Sequence, residues 1–85
     1  MDTVLTEIQK ITLKDILTTA GLNQRQVEDI FLLLSFKPER VQLAFYYRAC
    51  GETYERTAVL IDMSPTQTKR YIHDNCMDIK LYLTC

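Results

Sequence analysis

Residues 51–72 read GETYERTAVLIDMSPTQTKRYI, and this stretch decides the fold because it contains two helix starts on either side of one stop. Thr53 is suited to cap a helix that begins at Tyr54, and Ser64 followed by Pro65 supplies an N-cap with proline at the first helical position. The residues between and after these starts have the spacing of a helix-turn-helix, in which a small residue allows a close crossing and apolar residues fill the angle. They are Ala58, Ile61, Met63, Thr68 and Ile72.

The outward face of the second predicted helix is rich in polar and basic groups. It carries Thr66, Gln67, Lys69, Arg70 and His73. The window from Met63 to His73 contains no acidic residue, and local charge matters more than net charge at a nucleic-acid groove. The pattern predicts a DNA-reading face, and the alternative is an ordinary solvated helix face.

Composition favours one small helical domain. The chain has 85 residues, a formal net charge of −1, two glycines and two prolines. Apolar residues recur with a helical period, which predicts a compact all-α bundle of about five short helices with the helix-turn-helix near its C-terminus. Within the single domain 1–85, residues 1–35 form a supporting or interaction half, residues 36–75 the helix-turn-helix half, and residues 76–85 a tail.

The first half of the chain contains clear start and stop signals. The apolar period shifts near Thr12, which predicts a short break between two helices, and Gly21 is suited to end the second of them. Asn23 is suited to cap a helix that runs to about Ser35. Pro38 opens the next helix at its first position.

The tail has a different period. The apolar residues Met77, Ile79, Leu81 and Leu83 alternate with polar ones, and a period of two favours an extended segment that could pair with a second copy. The alternative is a frayed helix end that covers the core. Because a recognition helix with little positive charge gives little affinity, we expect a homodimer or a partner on the same DNA. The candidate dimer surfaces are Leu5, Ile8, Leu81 and Leu83.

Several classes of function are excluded by what the sequence lacks. No apolar run is long enough for a membrane span, and no basic segment precedes an apolar stretch at the N-terminus, which predicts a cytoplasmic protein. The three cysteines form no CxxC pair, and His73 with Cys76 is too small a set for zinc, so we expect neither metal nor cofactor. No phosphate loop, carboxylate pair or nucleophile constellation is present, and we therefore expect no enzyme.

Four groups of residues between positions 34 and 73 share one further pattern. They are Pro38-Glu39-Arg40-Val41; Phe45-Tyr46-Tyr47; Gly51-Glu52-Thr53-Tyr54-Glu55 with Ala58; and Met63-Ser64-Pro65-Thr66-Gln67 with Lys69. With these residues the region resembles the C-terminal, promoter-reading part of the bacterial sigma-factor family and related small phage and plasmid regulators. Thr57, Asp62 and Thr68 depart from the family, which usually has an aliphatic residue, glycine, and valine or isoleucine there. The chain is also too short to include the core-polymerase-binding part of a full sigma factor.

The resemblance implies a small sequence-specific DNA-binding transcription regulator whose helix 65–75 enters the major groove of double-stranded DNA. Gln67 would then read a base, and Arg70 would contact guanine or a phosphate. The implied phosphate contacts are Thr53, Arg56, Ser64, Thr66 and Lys69, and His73 lies on the same face. The alternative is a protein-interaction module that docks on RNA polymerase or another transcription factor without reading DNA. The acidic first half, with Glu28 and Asp29 beside an apolar run, would serve that role.

Overall fold

The computed structural model describes residues 4–77 and 79, and this part of the chain forms five α-helices and no strand. They are α1 (Glu7–Thr19), α2 (Gln24–Ser35), α3 (Glu39–Ala49), α4 (Tyr54–Ile61) and α5 (Pro65–Asn75). The radius of gyration is 12.0 Å, close to the roughly 12 Å expected for a compact chain of this length. The all-α fold is therefore confirmed. Among the described residues, no helix has the length and apolar character needed to cross a membrane.

Three helices begin with the same reciprocal cap. The side-chain oxygen of the N-cap residue accepts a hydrogen bond from the backbone N–H three residues on, and a glutamine at that position returns its Oε1 to the N-cap N–H. The pairs are Thr6 with Gln9, Asn23 with Gln26, and Ser64 with Gln67. At the start of α4, Thr53 Oγ1 accepts from the Arg56 N–H at 3.1 Å. The predicted N-caps at Asn23, Thr53 and Ser64 are confirmed, whereas Pro38 takes the N-cap position of α3, one residue before its first turn.

Three helices also end in one common motif. A residue in the left-handed conformation follows the helix, and the next residue donates its N–H to a carbonyl five positions earlier. The left-handed residues are Gly21 with φ 103°, Gly51 with φ 94° and Asp62 with φ 59°. The closing hydrogen bonds are Leu22 N to Leu17 O (3.2 Å), Glu52 N to Tyr47 O (3.1 Å) and Met63 N to Ala58 O (2.9 Å). Since a Cβ disfavours this backbone, Asp62 holds at a cost a conformation that glycine adopts freely.

The core is built around α3, which packs against α1, α4 and α5. Its buried residues Val41, Ala44 and Phe45 join one apolar cluster. The other helices contribute Leu13, Leu17, Val27, Ile30, Leu34, Ile61 and Ile72. Gln42 is also buried, and its amide is satisfied at both ends: Oε1 accepts from the Val4 N–H and Nε2 donates to the Lys37 carbonyl, both at 3.0 Å.

The predicted break near Thr12 is wrong, because α1 is continuous from Glu7 to Thr19. The Thr12 hydroxyl donates to the Ile8 carbonyl one turn earlier at 2.9 Å and so caps no new helix. On the neighbouring helix α3, a hydrogen bond with Cys50 is the main reason that the pKa of Tyr46 is raised above its ordinary value.

The apparent shift in apolar period has a different origin. Leu5 precedes α1 and packs into the core with 4% of its surface exposed, whereas Ile8 is 76% exposed and Ile11 is 61% exposed. The buried stripe of α1 begins only at Leu13 and continues at Leu17. The prediction that Leu5 lies on a dimer surface is consequently wrong, and Ile8 remains available for such a surface.

The predicted extended tail lies largely outside the described residues. Leu81 and Leu83, the two tail residues assigned to a dimer surface, are among those not described. Of the described residues that follow α5, Met77 and Ile79 have helical backbone, and Ile79 is fully buried in the core. The core therefore extends beyond the last residue of α5.

The buried hydroxyl of Thr57 on α4 allows a test of the packing of this helix. Thr57 Oγ1 is fully buried and has no hydrogen-bond partner among the described residues. Because an unpaired buried hydroxyl destabilises a protein, we expect Thr57→Val to raise the free energy of unfolding by about 1 kcal/mol. Thermal unfolding followed by circular dichroism should show a midpoint higher by about 4–8 °C.

Thr68 is the matched control. It is equally buried, but its hydroxyl donates to the Ser64 carbonyl at 2.8 Å. Thr68→Val removes a hydrogen bond that is made and should leave the midpoint unchanged or lower it. An unchanged or lower midpoint for Thr57→Val would contradict the assignment.

Candidate nucleic-acid interface

The candidate interface is formed by α4 and α5, which are joined by only three residues, Asp62, Met63 and Ser64. Both helices pack against α3 and against each other. The inward side of α5 is formed by the buried residues Thr68 and Ile72. The structure places all the predicted site residues in solvent: Thr53, Arg56, Ser64, Thr66, Gln67, Lys69, Arg70 and His73 are exposed.

The outward face of α5 also carries an acid that the sequence analysis missed. Asp74 is exposed and lies one turn beyond Arg70, and its Oδ1 is 3.4 Å from His73 Nδ1. The window that ends at His73 is free of acids only because it stops one residue too early. The spacing of four from Arg70 is the signal that would have found it. Exposed Asp62, in the turn before α5, places a second acid nearby, so the face is less basic than predicted.

Three polar side chains share one shallow groove on this face. Gln67, Arg70 and Asp74 line it, with Met63 and Tyr71 along its wall. Their spacing of three and four residues spreads them over about 10 Å of helix axis. The arginine guanidinium can only donate hydrogen bonds, whereas the aspartate carboxylate can only accept them. The groove therefore has donors toward the start of α5 and an acceptor toward its end.

Gln67 has a structural role that was not predicted. Its Oε1 faces the Ser64 N–H at 3.5 Å, and its own backbone N–H donates to Ser64 Oγ at 3.2 Å. The corresponding Oε1 distances are 3.0 Å at Gln9 and 2.9 Å at Gln26. The sequence signal for this role is a capping residue followed three positions later by glutamine. This pattern occurs at the starts of α1, α2 and α5.

Lys69 is held beside an aromatic ring. Its Nζ lies 5.7 Å from the centroid of the Tyr54 ring, and Arg48 Cζ lies 4.1 Å from the same centroid. These distances are within the range of cation–π interactions. The Arg48 guanidinium also donates to the Glu52 carbonyl. Tyr54 thus links α3, α4 and α5, and it brings two positive charges close to the start of α4.

Arg56 and Thr53 both already interact with neighbouring groups of the protein. Arg56 Nε lies 3.6 Å from Glu52 Oε2 in an exposed pair, and Thr53 Oγ1 is occupied by the cap of α4. An exposed pair of this kind contributes little to stability. It does, however, offset part of the positive charge that Arg56 would present to a phosphate.

Metal-ligating residue types do not gather in the part of the chain that the structure describes. No three histidine, cysteine, aspartate or glutamate side chains come together among residues 4–77 and 79. His73 is exposed while Cys76 is fully buried. The two residues therefore point into different environments, although they are only three positions apart.

No model of a known protein family matches the chain, and no curated protein or solved structure matches it either. The resemblance of residues 34–73 to the sigma-factor family rests on the quoted residues alone. The exposed surface of α4 and α5 consequently carries the functional inference.

The left-handed turn before α5 provides a test of how the helix pair is held. Asp62→Gly should raise the free energy of unfolding by about 0.5–1 kcal/mol, because glycine adopts the positive φ of this position without a Cβ clash. Urea unfolding of the variant beside the unsubstituted protein measures the change.

Asp62→Ala is the control for the carboxylate. It removes the same charge but keeps a Cβ on the left-handed backbone, so it should be less stable than Asp62→Gly. Equal stability of the two variants would show that the backbone conformation of residue 62 is not strained.

Proposed function

We propose that this chain is a small sequence-specific DNA-binding transcription regulator that inserts α5 into the major groove. The observation that carries the proposal is the face of α5, where Thr66, Gln67, Lys69 and Arg70 are all exposed over the first two turns. Beneath them Thr68 and Ile72 anchor the helix to the core. A single α-helix fits the major groove, and base edges are read by residues near its N-terminus.

The proposed roles follow from how each side chain is held. Within the described part of the chain, no ion pair or hydrogen bond engages the Arg70 side chain, so this guanidinium is free to contact guanine or a phosphate. Lys69, positioned beside Tyr54, would contact a phosphate. The remaining contacts with the DNA backbone would come from Thr53, Arg56, Ser64, Thr66 and His73.

The low net positive charge of this face is the reason that we propose a dimer. Asp62 and Asp74 offset part of the positive charge of Lys69 and Arg70, so one copy should bind non-specific DNA weakly. Two copies on neighbouring half-sites bind far more tightly than one. We propose that the exposed pair Ile8 and Ile11 on α1 forms the surface between copies.

A second function is favoured by a separate observation. Leu32 is 53% exposed and Phe36 is 69% exposed, and their spacing of four places them together at the end of α2. Exposed large apolar residues in one place indicate a protein contact. The alternative proposal is therefore a module that docks on RNA polymerase or another transcription factor through α2 and does not read DNA.

Charge-removing substitutions test DNA binding. We expect Arg70→Ala to cost about 1–3 kcal/mol on a duplex selected by the protein, and Lys69→Ala to weaken all duplexes alike while it lowers the salt slope by about one. Fluorescence anisotropy with a labelled duplex at several salt concentrations measures both effects.

Arg25→Ala is the matched control, because it removes the same charge from an exposed position on α2. It should change neither the affinity nor the slope appreciably. If Arg25→Ala and Arg70→Ala behave alike, while Leu32→Ser abolishes capture of RNA polymerase, the alternative function is the correct one.

The proposed dimer is tested by a point substitution, since removal of α1 would also remove Leu13 and Leu17 from the core. Light scattering after size exclusion should show a dimer of the unsubstituted chain and a monomer of Ile8→Glu, because a buried unpaired carboxylate is strongly unfavourable. Leu32→Glu should remain dimeric. A strict monomer at high concentration of the unsubstituted protein would rule the dimer out.

A further inference from the structure

Gln67, the side chain assigned to base contact, has its amide oxygen turned toward the backbone of its own helix. Gln67 Oε1 faces the Ser64 N–H, which is one of the donors at the start of α5 with no partner within the helix. The orientation of the amide is dictated by chemistry, because its other end, Nε2, is a donor and cannot face an N–H. Nε2 is therefore the end of Gln67 that is left for a ligand.

The two other capping boxes show that this arrangement belongs to the fold itself. Gln9 and Gln26 turn their Oε1 atoms to the N–H groups of Thr6 and Asn23 in the same way. The Oε1 distance at Gln67 is the longest of the three, yet the direction is the same. Gln67 thus differs from the other two by the groove it lines, which it shares with Arg70 and Asp74.

A capped glutamine reads DNA differently from a free one. Bidentate recognition of adenine requires the amide oxygen to accept from N6 while the nitrogen donates to N7. While Oε1 is turned to the Ser64 N–H, the amide keeps Nε2 as its free donor, and it must turn away from the cap to place both of its ends on adenine. Guanine presents N7 and O6 as acceptors in the major groove, and thymine presents O4. A donor at this position therefore suits guanine or thymine and leaves adenine with one contact in place of two.

Resting on the proposed function, we propose that α5 reads a short acceptor-lined run of bases, guanine or thymine, opposite Gln67 and Arg70. Both side chains act there as donors. Asp74 limits this run because its carboxylate can only accept, and it lies one turn beyond Arg70 on the same groove. The adjoining position would carry cytosine or adenine, whose amino groups can donate to a carboxylate.

Selection from random duplexes tests the base preference directly. We expect guanine or thymine at two neighbouring positions of the selected site, and we expect 7-deazaguanine, which lacks the N7 acceptor, to lower the affinity there by about tenfold when it replaces guanine. A selected adenine at the Gln67 position would overturn the inference, because a capped amide offers adenine only one contact and so gives it no advantage over guanine or thymine. The proposed function would stand in that case.

The Gln67→Glu variant separates the cap from the readout. A carboxylate can keep one oxygen on the Ser64 N–H, so the thermal midpoint should be retained. Its second oxygen can only accept, and the preference should shift from guanine or thymine to cytosine, with about tenfold weaker binding to the originally selected duplex. An unchanged preference would overturn the inference, since Gln67 would then touch no base.

The Gln26→Glu variant is the matched control. It makes the same substitution in the capping box of α2, away from the groove of α5, and should alter neither the midpoint nor the base preference. Failure of the unsubstituted protein to bind any duplex in a salt-dependent way would overturn the proposed function, and the inference with it.

Discussion

The packing of α3 against three other helices is the constraint on which the rest of the structure depends. α4 is only eight residues long and would not be stable alone, so its position is set by contacts with α3 and α5. Gln42, buried on α3, also joins the segment before α1 to the turn between α2 and α3 through hydrogen bonds to Val4 and Lys37. The candidate interface is therefore supported by residues far from it in sequence, and the first half of the chain is part of that support.

The helices and their caps could be predicted from the sequence because they depend on short-range patterns. The N-caps predicted at Asn23, Thr53 and Ser64 are correct. A polar side chain at a helix start accepts a hydrogen bond from a backbone N–H of the first turn, whatever the tertiary context. Thr12 and Leu5 were misjudged for two different reasons. The Thr12 hydroxyl bonds back to the Ile8 carbonyl of its own helix, an option that competes locally with capping a new helix. Whether a leucine before a helix folds into the core, as Leu5 does, depends on packing against distant elements.

The outward positions of α5 follow from the helical period, and the predicted face is exposed. Asp74 and the cap at Gln67 could also have been found, because both lie at helical spacings from residues already chosen. The contacts of Tyr54 with Arg48 and Lys69 could not, since they require three helices to meet. Sequence reasoning thus locates α5 and its exposed face but not the interactions that orient its side chains.

The three reciprocal caps share a property that bears on behaviour in acid. Each uses glutamine at the third helical position, where glutamate would serve equally well at neutral pH. A carboxylate loses acceptor capacity when it takes up a proton, whereas an amide oxygen does not titrate. The starts of α1, α2 and α5 should therefore keep their hydrogen bonds at low pH, and amide exchange in mild acid would show protection persisting there while other regions open.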